Sequence, residues 1–117
     1  LGRRRALLLS GFLWSIWHLP LVWIGQAYPG HRTVGLLLIV PFITAVGVIL
    51  GHYRLASGSI LVPAVLHGTL NAQVGGLPAV LVAVDSPLLG GLMGLSGIIV
   101  LWAAALWILR RSDAPEC

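Results

Sequence analysis

Long apolar runs with charges only at their ends are the feature that most restricts how this chain folds. The runs cover residues 6–25, 34–51, 59–72 and 88–109. A helix needs roughly 20 apolar residues to cross a bilayer, so the first and last runs are long enough and the second is marginal. The third is short unless it continues past Gly75, Gly76 and Pro78, and whether residues 73–90 span or re-enter the bilayer stays open. We expect an all-α, polytopic transmembrane helix bundle with about four membrane segments.

Composition and the placement of charge support a membrane protein. Charged residues make up 9% of the 117 positions and hydrophobic ones 58%, whereas soluble domains carry about a quarter charged residues. The net charge of +4 comes from seven arginines at the ends of the apolar runs, a pattern typical of topology control and not of nucleic-acid binding. If the N-terminus is cytoplasmic, Arg32 is the one arginine of the seven on the outer side of the membrane. We predict an integral protein of a bacterial plasma membrane with cytoplasmic termini, a helical domain over 1–109 and a polar cytoplasmic tail over 110–117.

Two histidines lie inside apolar runs, where an ionisable side chain is costly and indicates a functional site by default. His18 belongs to the first run and His67 to the third. Asn71 follows His67 by one helical turn, so its carboxamide is placed to hydrogen-bond a ring nitrogen and fix the tautomer. Pro20 cannot pair with the carbonyl of Ile16, which predicts a kink and a polar partner near His18. The alternatives are an interfacial His18 among tryptophans and a structural inter-helix hydrogen bond at His67.

Small residues four positions apart allow close helix packing in lipid, although for any single pair the favoured alternative is that glycine is simply common in this chain. Those in the first and third runs flank the two histidines, so we expect both imidazoles to face the same interior. The pairs are Gly11 with Ser15, Gly47 with Gly51, Ala64 with Gly68, and Gly90 with Gly94. His31 and His52 stand next to arginines and are assigned to solvated loops. Ser15 as a catalytic nucleophile is disfavoured.

Two motifs carry a resemblance to a known family. The segment TrpSerIleTrpHisLeuPro at 14–20, followed by HisTyrArgLeuAlaSerGlySerIleLeuValProAlaValLeuHisGlyThrLeuAsnAla at 52–72, resembles the C-terminal half of the CPBP family. These are intramembrane endopeptidases of the CAAX-processing and bacteriocin-processing type, including prenyl-protein proteases and abortive-infection proteins. Their pattern is a GluGlu pair followed by Arg, then PheXaaXaaXaaHis, then HisXaaXaaXaaAsn or Asp. Trp14 and His18 match the second motif, with Trp in place of Phe, and His67 and Asn71 match the third.

The resemblance implies peptide-bond hydrolysis by a water molecule that the first Glu of the GluGlu motif activates as general base. The motif histidines would position the water and stabilise the oxyanion, so the implied catalytic residues are His18, His67 and Asn71, with Trp14 binding substrate. The GluGlu motif is absent from the chain and is expected upstream of Leu1, so the domain is expected to be truncated at its N-terminus and inactive alone. The implied partner is a peptide or protein substrate, lipidated or not; the oligomeric state stays open.

No cofactor is predicted. Imidazole suits zinc, and His18 and His67 would be the ligands, but two histidines without a carboxylate or thiolate in the apolar runs are too few. The competing hypothesis is a non-catalytic polytopic membrane protein, an immunity or transport-associated subunit whose histidines are structural or relay protons. A GluGluXaaXaaXaaArg pattern upstream would favour the protease.

Overall fold

The computed structural model describes residues 1–77 and 81–112. These residues form four α-helices, α1 (Arg3–Trp23), α2 (Arg32–Ser57), α3 (Leu61–Gly75) and α4 (Leu95–Arg111), and the described ranges contain no strand. The predicted all-α class is therefore confirmed. The last five residues of the predicted tail, 113–117, and residues 78–80 of the segment 73–90 lie outside the described residues.

Two helices are long and apolar enough to cross a membrane: α1 with 21 residues and α2 with 26. In contrast, α3 has 15 residues and α4 has 17. At a rise of about 1.5 Å per residue, neither reaches the roughly 30 Å of a hydrocarbon core. The structure thus supports two of the four expected membrane segments by length.

The fourth apolar run is only partly helical. We expected a segment from residue 88, but α4 begins at Leu95. Residues before it form a turn in which the backbone N–H groups of Leu89 and Gly90 donate to the carbonyl of Ser86. Gly91 has a positive φ of 76°, which is unfavourable for a residue with a Cβ. Hydropathy counts these residues as part of the run although their backbone is not helical.

Close contact between α1 and α2 depends on glycine. A Cβ on Gly47 would lie 2.5 Å from the Cα of Gly11, and one on Gly51 would lie 2.7 Å from a Leu7 methyl group. The packing role predicted for Gly11, Gly47 and Gly51 is therefore confirmed, and Ser15 is buried. A Cβ on Gly68 would meet nothing within 4 Å, so the role predicted for that glycine is wrong.

Helix α2 lies at the centre and packs against each of the other three helices. One buried cluster joins α2 to Val22, Tyr28 and Ile98, and a second joins it to Leu7 and Leu109. In contrast, none of the residues of α3 is buried. The loosely packed part of the bundle therefore lies between α2 and α3.

Candidate active site

Both histidines of the apolar runs line one cavity of about 390 Å³. Helix α1 contributes His18, and α3 contributes His67 and Asn71. The other lining residues are mainly apolar: Trp14, Leu21, Gln26, Ala27, Ile39, Phe42, Ile43, Val46, Leu70, Val74 and Met93. This volume lies within the roughly 300–1,000 Å³ of small-molecule and substrate sites. The structure therefore brings together the residues that the motifs singled out on separate helices.

The indole of Trp14 contacts both imidazoles. Its ring centroid is 5.0 Å from that of His18 and 5.2 Å from that of His67, with interplanar angles of 86° and 81°. These are edge-to-face arrangements, which aromatic rings prefer to face-to-face stacking. Because both imidazole centroids are this close to one indole, they lie at most about 10 Å from each other.

His18 has a defined tautomer when neutral. Its Nδ1 lies 2.9 Å from the backbone carbonyl oxygen of Trp14, and because a carbonyl can only accept, Nδ1 carries the proton and Nε2 has the free lone pair. The expected hydrogen-bond acceptor was the carbonyl of Ile16. The carbonyl of Trp14 accepts the bond instead, because a helical side chain points back over the preceding turn, toward residue i−4.

His67 is held differently. Within residues 1–77 and 81–112 no hydrogen bond joins its ring to Asn71 or to any other group, so the expected fixing of its tautomer by Asn71 is wrong for this structure. The sole buried side-chain nitrogen or oxygen without a partner in these ranges is Nε of Arg3. Both ring nitrogens of His67, and Nε2 of His18, are therefore accessible to solvent and available to a substrate.

Other polar residues of the sequence lie away from this cavity. Ser15 is buried between α1 and α2 and donates its hydroxyl to the carbonyl of Phe12 at 2.6 Å, which leaves it unavailable as a nucleophile. His31 is exposed, as predicted. His52 is not in a loop: it lies in α2, where its Nδ1 accepts a hydrogen bond of 3.2 Å from the Arg3 guanidinium.

The cavity offers little to a metal ion. In the described part of the chain, no group of three or more His, Cys, Asp or Glu side chains is placed to hold one. A zinc ion on His18 and His67 would lack a third protein ligand among these residues, whereas protein zinc sites use three or four.

The sequence motifs did not identify several residues around the cavity. Gln26 and Met93 line it, and Ser10 and Pro63 line a neighbouring groove that shares Trp14 and His67 with it. Gln26 had a weak signal, a polar residue after an apolar run. No sequence signal marks Met93, which lies in the segment before α4; its carbonyl accepts a hydrogen bond of 2.6 Å from the Tyr28 hydroxyl.

An apolar helical domain with two accessible imidazoles around an interior cavity has the features of a membrane-embedded enzyme. A family model described as Type II CAAX prenyl endopeptidase Rce1-like matches residues 1–73. The chain belongs to this family of membrane-embedded proteases, which confirms the resemblance seen in the motifs. The match includes α1, α2, Trp14, His18, His67 and Asn71, and it ends before α4. Comparisons with curated proteins and with solved structures gave no match.

Proposed function

We propose that this domain is the histidine-bearing part of an intramembrane endopeptidase that hydrolyses peptide bonds in the cavity between α1, α2 and α3. The observation that carries the proposal is the placement of His18 and His67 against one indole, at the wall of a single cavity. Family membership supports a peptidase, and the geometry supports the assignment of roles to individual side chains.

In peptide hydrolysis, water adds to the carbonyl carbon, a base removes a proton from the water, and the carbonyl oxygen becomes an oxyanion. The oxyanion then re-forms the carbonyl, the C–N bond breaks, and the protonated base returns the proton to the departing amine. His18 with its proton on Nδ1 presents a lone pair on Nε2, which suits it to accept a hydrogen bond from the water and orient it. The ring of His67 has neither nitrogen occupied by a partner in the described ranges, so its protonated nitrogen can donate to the oxyanion. The carboxamide of Asn71 supplies a further donor on the same helix face.

Among the described residues that line the cavity, none carries a carboxylate that can act as the general base. Asp85 is the sole acidic residue of the described ranges, and it does not line the cavity. We assign the base to a glutamate upstream of Leu1, in the GluGlu motif that the family resemblance implies. A carboxylate base and preorganised donors together account for the large accelerations of hydrolytic enzymes.

The walls of the cavity favour this chemistry. Ile39, Phe42 and Val46 are buried apolar residues that line it, and hydrogen bonds to a developing charge are stronger beside apolar walls than in bulk water. We propose a peptide or protein substrate, lipidated or not, and chemistry without a metal or cofactor. We also propose a bacterial plasma membrane as the location, with both termini in the cytoplasm.

The test uses the full-length protein that contains residues 1–117, reconstituted in lipid and assayed on a quenched fluorescent peptide library. Replacing His18 or His67 by Ala should lower kcat/KM by about 100-fold or more, and Asn71→Ala by about tenfold, as removal of single catalytic donors does. His31→Ala is the matched control because that histidine is exposed in a loop.

Folding must be followed in the same samples by circular dichroism and size-exclusion chromatography. The proposal requires His18→Ala and His67→Ala to retain helical content and elution volume while activity is lost. Full activity in either variant would refute it. Loss of folding in both, together with no peptidase activity in the parent protein, would instead favour the non-catalytic membrane protein with structural histidines.

A further inference from the structure

Trp14 lies on the boundary between two compartments. On one side is the cavity of about 390 Å³ described above. On the other is a groove of about 380 Å³, bounded by α1, α2 and α3. Trp14 and His67 are the residues that line both spaces. The indole therefore stands where the groove meets the cavity, beside the two imidazoles.

Little else in the structure fixes the ring of His67. No residue of α3 is buried, and α3 packs mainly on α2. The His67 ring makes no hydrogen bond within the described ranges, and its ring contact is with Trp14 of α1 at 5.2 Å. The orientation of this imidazole thus depends on the indole.

The same residue fixes His18 in two ways. The carbonyl of Trp14 accepts the Nδ1–H hydrogen bond of His18, and the indole packs edge-to-face on the His18 ring. Substitution of the Trp14 side chain removes the ring contacts to both histidines but leaves the backbone carbonyl in place. His18 should therefore keep one restraint, and His67 should lose its ring contact to α1.

We propose that Trp14 is a positioning residue: its indole, in edge-to-face contact with both rings, holds the imidazoles of His18 and His67 in place at the cavity wall and does not bind substrate. The effect on catalysis rests on the proposed function, whereas the contact with both imidazoles does not. Misplacement of a catalytic group by about 1 Å costs on the order of 100-fold in rate. Loss of the indole should therefore appear in kcat.

The kinetic experiment compares Trp14→Leu and Trp14→Phe with Trp17→Leu in the full-length protein. Trp17 lies on the same helix but is 80% exposed, so it controls for the loss of an aromatic residue at a neighbouring position. For Trp14→Leu we expect kcat to fall by about 100-fold with KM within about twofold of wild type. For Trp14→Phe, which keeps a smaller ring, we expect a fall of severalfold, and Trp17→Leu should have no effect.

An increase in KM of tenfold or more with kcat unchanged would overturn the proposal, because that is the signature of lost substrate binding. Unchanged kinetics in Trp14→Leu would also overturn it. If Trp14→Leu does not fold, Trp14→Phe decides the question by the same split between kcat and KM.

A second measurement needs no activity. The ring current of the indole shifts the NMR signals of protons in the two imidazoles beside it, and this shift can be read at one fixed pH. We expect Trp14→Leu to change the ring-proton shifts of both His18 and His67, and Trp17→Leu to leave them unchanged. His18→Gln and His67→Gln each remove one set of signals and so assign them.

Together, the kinetic and the activity-independent measurements distinguish a failure of the proposed function from a failure of the positioning role. A wild-type protein without peptidase activity but with the expected ring-proton shifts would refute the proposed function and leave the contact of Trp14 with both histidines intact. Unchanged ring-proton shifts in Trp14→Leu would refute the positioning role, whatever the activity.

Discussion

At the scale of single residues, the contact between α1 and α2 should be unusually sensitive to one added methyl group. A Cβ on Gly47 would lie 2.5 Å from the Cα of Gly11, so Gly47→Ala must push two backbones apart. Overpacking of this kind typically costs about 1–3 kcal/mol, and we expect a clear fall in the apparent Tm in detergent.

Gly68→Ala is the matched control. Position 68 is also helical, and a Cβ there would meet nothing within 4 Å. Alanine is a better helix former than glycine by up to about 1 kcal/mol, so this variant should be as stable as wild type or slightly more so. Equal Tm values for Gly47→Ala and wild type would show that the two helices do not approach this closely.

Gly47 and Gly68 show what the spacing of small residues can and cannot predict. Spacing by four predicted correctly that Gly47 belongs to a small-residue face, and it predicted the same for Gly68, which faces open space. Periodicity defines the face of a helix but not the neighbour of that face. For the same reason, the spacing of His67 and Asn71 gave the shared face but not the missing hydrogen bond, since the imidazole turns toward Trp14.

At the scale of elements, Tyr28 connects the segment between α1 and α2 to the segment before α4. Its side chain is buried, and its hydroxyl donates to the carbonyl of Met93 at 2.6 Å. Tyr28→Phe keeps the ring and leaves that carbonyl without its donor, which should cost about 1 kcal/mol. Thermal unfolding should detect a lower apparent Tm, and Tyr53→Phe, at an exposed position in α2, should leave it unchanged.

This tyrosine also predicts a pH dependence. Burial raises the pKa of Tyr28 well above its ordinary range, whereas in the unfolded chain a tyrosine titrates at about pH 10. The folded state therefore binds the phenolic proton more tightly, and stability falls as the pH rises above that value. We expect the apparent Tm to decrease above about pH 10 in wild type and to decrease less in Tyr28→Phe. Parallel curves for the two proteins would exclude Tyr28 as the cause.

The extents of the helices show which elements hydropathy can define. It placed both ends of α1 and the start of α2 within a few residues, because those runs are apolar throughout. It ended α2 six residues too early, at residue 51, because the helix continues through the polar residues His52 and Arg54 to Ser57. It placed the start of α4 seven residues too early, since glycine is compatible with an apolar run and also with the turn near Gly91. The cavity walls that come from loops, such as Gln26 and Met93, had no periodic pattern from which they could be predicted.

At the scale of the whole molecule, most of the positive charge is at one end of the bundle. Leu7, Val48 and Leu109 share a buried cluster, so the start of α1 and the ends of α2 and α4 lie together. Six arginines belong to these helix ends: Arg3, Arg4, Arg5, Arg54, Arg110 and Arg111. Arg32 begins α2 at the opposite end, where its guanidinium lies over the Trp23 ring. Since arginine-rich ends generally remain on the cytoplasmic side of a membrane, this arrangement is consistent with the orientation that we propose.

Cysteine accessibility can test this orientation. Cys117 is the sole cysteine of the chain, so a Cys117→Ser background allows one new cysteine at a time. Ser57→Cys places a thiol at the end of α2 near the arginines, and Thr33→Cys places one at its start; both positions are exposed. A membrane-impermeant maleimide should label Thr33→Cys in intact spheroplasts and Ser57→Cys only in inverted vesicles, because charged reagents do not cross the bilayer. The opposite labelling would mean that the arginine-rich end faces outward. The groove that reaches His67 from the side of Ser10 and Pro63 would then open away from the cytoplasm.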